Sequence, residues 1–167
     1  MSECQMDFDG SEFNFLPDGS NEDPMDCLKP ERLLESIQEL EGEIRCNPVN
    51  AELYLQLGVF YGCLKDDENA VKAYHKALEL DSGMHQAHYL LGEHYFGKKR
   101  YWDAAMEFGH YVSAEPDDPD GTLYLKFGIA CLRLGRTEDA KRHLEKARLD
   151  KDSGRACVAD RLLSRIK

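Results

Sequence analysis

Residues 51–82 read AELYLQLGVFYGCLKDDENAVKAYHKALELDS, and the same pattern returns twice downstream. Against residues 85–116, HQAHYLLGEHYFGKKRYWDAAMEFGHYVSAEP, Leu57-Gly58 matches Leu91-Gly92, and Tyr61 matches Tyr95. Ala70 likewise matches Ala104 and Tyr74 matches Phe108, every offset being 34 residues. Residues 121–152 repeat the pattern with Phe127-Gly128, Cys131, Ala140, Leu144 and Ala147, now at an offset of 36, which assigns a two-residue insertion to PDDPD. A period in this range marks a unit that buries its apolar face only by stacking on its neighbours.

Each copy divides into two short amphipathic helices with a turn between them. Gly58, Gly92 and Gly128, with Ala70, Ala104 and Ala140, fall where the two helices of a pair must approach closely. A larger side chain there would push the helices apart. Thr137, followed by Glu138 and Asp139, predicts an N-cap for the second helix of the third copy. Upstream, Leu33, Ile37, Leu40 and Ile44 recur at spacings of four, three and four, which places them on one helical face between Pro30 and Pro48. Downstream, Val158, Leu162 and Ile166 recur every four residues.

These residues resemble the tetratricopeptide repeat (TPR) over roughly residues 51–154. The period, the Leu-Gly pair, the Tyr three residues on, the Ala–aromatic–Ala series and Pro116 carry the resemblance. Three departures stand beside it: Tyr54 where Trp is common, Ser82 in place of the terminal Pro, and Cys131 in place of the Tyr. The resemblance implies an all-α, right-handed α-α superhelix of three repeats, 51–84, 85–118 and 121–154. A helix at 30–46 and a cap helix at 155–167 would flank the repeats, completing a domain at 28–167 after a tail at 1–27.

Charge is unevenly distributed. Residues 1–27 hold eight acidic side chains and no basic one, out of a formal net charge of −11. With Gly10, Pro17, Gly19 and Pro24 interrupting it, this stretch reads as a disordered acidic tail. Phe8, Phe13, Phe15 and Leu16 within DFDGSEFNFLP resemble a short linear binding motif. Residues 132–167 carry eleven Lys/Arg against six Asp/Glu. Without interleaved aromatics this basic end reads as a solvated face, so no nucleic-acid partner is expected.

No apolar run approaches the ~20 residues of a membrane span, and MSECQMDFDG has no secretory signal pattern. A cytoplasmic location with no membrane partner is the expectation. The six cysteines form no CxxC pair and read as free thiols.

Three histidines, His85, His88 and His94, crowd into HQAHYLLGEHYF and invite a metal reading. On a helix His85 and His88 lie about 60° apart, but His94 lies about 180° from His85, so the trio diverges. His88 takes the packed aromatic position of Tyr54 and Tyr124. His75 and His143 fall on second helices and are expected to face solvent. There is no Gly-rich phosphate loop and no nucleophile elbow. No catalytic residue, metal ion or cofactor is expected, and an enzymatic or metal-binding role is the distant alternative.

The resemblance implies that first helices line a concave groove that takes peptides. Its positions fall on Glu52, Leu55 and Val59; on Gln86, Tyr89, Glu93 and Phe96; and on Thr122, Leu125, Ile129 and Arg133. TPR domains that grip chaperone C-termini do so with several cations and Asn. Here the matching positions are Leu55, Val59, Leu90, Thr122 and Lys126, of which only Lys126 fits. An apolar or aromatic peptide of a protein partner is the expected ligand. Trp102, at a position commonly polar and outward, is a candidate second contact. The expected function is an interaction scaffold or adaptor. The alternative is a cytosolic three-repeat chaperone of a secretion system. A further expectation is that the tail around Phe8–Leu16 occupies the protein's own groove, or in self-association a neighbour's, until a partner displaces it.

Overall fold

A computed structural model of the chain describes residues 29–114, 121–149 and 153–166. The acidic stretch 1–27 and the PDDPD insertion therefore lie outside the described residues. Within them are eight helices: α1 (Pro30–Cys46), α2 (Ala51–Cys63), α3 (Asp67–Leu80), α4 (His85–Gly97), α5 (Tyr101–Ala114), α6 (Gly121–Arg133), α7 (Thr137–Arg148) and α8 (Ser153–Leu163). The architecture is all-α, as the repeat period predicts. None of the described helices is long and apolar enough to cross a membrane.

Local chemistry sets the helix ends. Pro30 occupies the first turn of α1, where its missing N–H costs nothing. The Glu52 N–H donates to Asn50 Oδ1 at 3.0 Å and caps α2; the Asn69 N–H donates to Asp66 Oδ1 at 3.3 Å and caps α3. Each first helix ends in the same turn. The N–H groups of Asp66, Arg100 and Arg136 reach back to the carbonyls of Tyr61, Tyr95 and Cys131, each at 2.9 Å. Such a turn needs one left-handed residue. Lys65 (φ 61°), Lys99 (φ 60°) and Gly135 (φ 74°) supply it.

Thr137 does not cap α7. It is the first helical residue, and Arg136 takes the cap position without a side-chain bond. The left-handed turn at Gly135 feeds straight into the helix, so the Ala140 N–H already bonds to the Arg136 carbonyl.

Consecutive helices pack in chain order within α1–α5 and within α5–α8, and α8 also touches α6. Within each pair a glycine meets a large side chain. A Cβ on Gly58 would lie 2.4 Å from the Tyr74 ring, one on Gly92 2.5 Å from Phe108, and one on Gly128 2.7 Å from Leu144. Ala70, Ala104 and Ala140 are fully buried beside them. One central cluster runs from Leu55 through Leu91 and Phe108 to Phe127 and Ala140, uniting the three pairs. A second joins α1 to α2 and α3 through Ile37, Leu40, Leu53, Leu57 and Ala73. A third closes the other end, where Ala159 of α8 sits with Leu125, Leu144 and Ala147.

Candidate functional site

The first helices α2, α4 and α6 carry all eleven candidate groove residues, and the structure sorts them by depth. Leu55 is 3% exposed and Leu125 is 1% exposed. Both are therefore corrected from contact residues to interior ones. Leu55 belongs to the central cluster with Ala87 and Leu91, and Leu125 to the cluster that includes Ala159 of α8. Neighbouring helices cover the position on which the repeat register placed them.

The other nine keep some surface. Glu52, Gln86 and Arg133 are exposed; Val59, Tyr89, Glu93, Phe96, Thr122 and Ile129 are half-buried. Gln56 Nε2 donates to the Glu52 carboxylate at 3.3 Å. The Tyr89 ring lies 5.4 Å from Tyr111 of α5. Phe96 meets Tyr101 edge-on at 5.8 Å and Phe108 at 6.4 Å. The Arg133 guanidinium lies 6.0 Å over the Tyr101 ring. Aromatic stacking of this kind fixes ring orientation before any ligand arrives.

One ion pair crosses from α4 to α6: Lys126 Nζ donates to Glu93 Oε2, with both side chains mostly buried. Glu93 Oε1 is buried and accepts no hydrogen bond among the described residues. Lys126 is thus the counter-charge on which a mostly buried carboxylate depends.

Tyr111 escaped the sequence reading although the register held the signal. Ala77 and Ala147 occupy its position in the other copies, so one copy carries a ring where the others carry a methyl. Lys126 was visible only as a chaperone-clamp residue, not as the partner of Glu93. Trp102 is 59% exposed, in line with its outward register position.

The histidines disperse into separate contacts. His88 Nδ1 is 2.7 Å from Glu107 Oε2, and its ring stacks on His110 at 4.9 Å. His94 faces Asp67 at 3.6 Å; burial lowers its pKa, with Asp67 opposing. Among the described residues no three His, Cys, Asp or Glu side chains are grouped as metal ligands would be. His75 is exposed, with Nε2 3.2 Å from the Tyr95 hydroxyl.

His143 departs from expectation. It is 9% exposed and stacks on Phe127 at 3.8 Å. Burial pushes its pKa down to about 4, and Lys146 and Arg142 add to the shift. In sequence, a histidine on a second helix has the pattern of a polar surface residue, and only the packing of α6 on α7 buries it. Its register equivalents, Ala73 and Glu107, show that the position varies in size and polarity from pair to pair.

Residues 51–83 match the family model of the tetratricopeptide repeat. Among curated proteins none matches the chain in sequence. Among solved structures, the chain is similar to MamA (41-end) from Desulfovibrio magneticus RS-1. The identity is 25% and the TM-score 0.65, over 74% of this chain and 68% of that one. A second MamA structure aligns at 18% identity and TM-score 0.65, over 83% of this chain and 89% of that one. The Arabidopsis OM64 TPR domain aligns at 19% identity and TM-score 0.59, over 69% and 94%. The repeated helix pairs, the glycine–ring contacts and these matches agree: residues 51–83 are a tetratricopeptide repeat, and the described residues take the all-α tetratricopeptide-repeat fold, in general a scaffold for protein–protein interaction.

Proposed function

We propose that the exposed side of α2, α4 and α6 is a groove that holds a short apolar–aromatic segment of a partner protein. One observation carries the reading: Tyr89 and Phe96 are half-exposed on α4 and already braced by Tyr111, Tyr101 and Phe108. Rings that are already packed against neighbours yet partly exposed offer contact area at little entropic cost. Val59 and Ile129 extend the apolar surface on either side, while Glu52, Gln86, Thr122 and Arg133 supply a polar rim. Leu55 and Leu125 act beneath it as floor. Residues 28–167 would serve as one interaction domain, with 1–27 as an acidic extension.

The test is affinity capture of partners by the full chain, followed by titration of the segment mapped within the captured partner. Replacing Tyr89 with Ala, and separately Ile129 with Glu, is expected to weaken binding at least tenfold while leaving the helical circular dichroism unchanged. Binding that survives both substitutions would place the partner elsewhere.

A further inference from the structure

A second surface lies on α5, away from the first helices. Trp102 is 59% exposed and Met106 is 46% exposed. They sit one turn apart on the same side of the helix. The repeat register identifies their counterparts: Glu68 and Lys72 on α3, and Glu138 and Arg142 on α7. All four counterparts are strongly exposed, and Glu68 and Lys72 form an ion pair at 2.5 Å. An acid followed by a base is thus the rule at these two outward positions. The middle repeat alone replaces both with large apolar side chains. Neither is needed for the core, because Ala104, Ala105 and Phe108 already supply the buried side of α5. An apolar pair flanked by exposed charges has the layout of an interface centre and its rim.

We propose that this face pairs with the same face of a second copy of the chain. The charge order selects the arrangement. A twofold axis in the contact plane, parallel to the array and crossing α5 between residues 102 and 106, lays two α5 helices antiparallel. Trp102 then meets Met106 of the second copy, and Met106 meets its Trp102, a favourable sulfur–aromatic contact made twice. On one flank Glu68 faces Lys72 of the second copy; on the other Glu138 faces Arg142. The parallel alternative sets Glu68 against Glu138 and Lys72 against Arg142, opposing like charges on both flanks. The acid-then-base order shared by α3 and α7 is self-complementary only in the antiparallel pair.

Trp102 is the only tryptophan in the chain, so its emission reports directly on this face. Sedimentation velocity and fluorescence across a concentration series of the full chain test the proposal. A monomer–dimer equilibrium is expected, with Trp102 emission shifting to the blue as dimer forms. Trp102→Glu is expected to weaken the dimer at least tenfold without changing helical content. Lys72→Glu weakens it, and the charge-swapped pair Glu68→Lys/Lys72→Glu restores it. A monomer at every concentration, or a dimer indifferent to Trp102→Glu, overturns the proposal. So does a charge swap that fails to restore what Lys72→Glu removes. A blue shift produced only by adding a peptide of residues 1–28 would give the face to the acidic segment instead.

Discussion

The first and third helix pairs solve one packing problem with different side chains. In α2–α3 an aromatic ring, Tyr74, lies against Gly58; in α6–α7 a leucine, Leu144, lies against Gly128. Register position 73 is a buried alanine, whereas its equivalent 143 is a buried histidine stacked on Phe127. The first pair makes its left-handed turn with Lys65, the third with Gly135. Both pairs share the turn hydrogen bond that joins their helices, so each difference points to one physical term. Steric contact, burial of a titratable ring and backbone strain can each be measured against a copy that lacks it.

The steric difference is the largest. Gly58→Val is expected to cost about 3 kcal/mol, because a planar ring held at 2.4 Å has nowhere to turn. Gly128→Val is expected to cost somewhat less, since the added Cβ meets Leu144 at 2.7 Å rather than a ring edge at 2.4 Å. Urea denaturation of both variants gives the comparison, and equal losses would show that the ring and the leucine yield alike.

Next is the pH response. His143 has a folded pKa of about 4, below the ordinary imidazole value of 6.5, so the unfolded chain takes up a proton first. Its contribution to stability is intact above about 6.5 and is lost as pH falls from there through about 4. The loss is on the order of 3 kcal/mol. His143→Phe keeps a ring on Phe127 and is expected to flatten this part of the pH profile. Ala73→Gly in the first pair should leave the profile's shape unchanged.

The turn gives a smaller effect. Nothing lies within 4 Å of a Cβ built on Gly135, so Gly135→Lys tests backbone conformation alone and should cost about 1 kcal/mol. Lys65→Gly, the reciprocal change, should gain less than about 1 kcal/mol, because glycine's extra unfolded-state freedom offsets part of the relief. The smallest effect belongs to the middle pair. Trp102→Ala should change monomer stability by no more than about 0.5 kcal/mol in thermal unfolding at high dilution, as for an exposed side chain without structural duty.

The buried repeat positions were legible because their constraint is local and repeated. Gly58, Gly92 and Gly128 recur because each helix pair meets at one point of closest approach. The turn after Tyr61, Tyr95 and Cys131 recurs because the same backbone hydrogen bond closes each first helix. The candidate site was less legible. The register put Leu55 and Leu125 on the groove-facing side, and that assignment has no depth coordinate. Whether such a residue is surface or floor depends on neighbouring helices, including α8 over Leu125. Tyr111 was written in the alignment as a departure from alanine, but only its ring contact with Tyr89 gives the departure a meaning.

By itself the sequence determined the helix period, the paired architecture and the close-packed slots, since these follow from spacing and side-chain size along one strand of chain. Tertiary structure decided which first-helix residues meet solvent, that Glu93 depends on Lys126 from the next repeat, and that His143 is buried under Phe127. Those outcomes depend on contacts between segments 16 or more residues apart, such as Phe127 with His143 and Glu93 with Lys126. Burial and electrostatics are sums over all neighbours in space, and a chain lists only its neighbours in order.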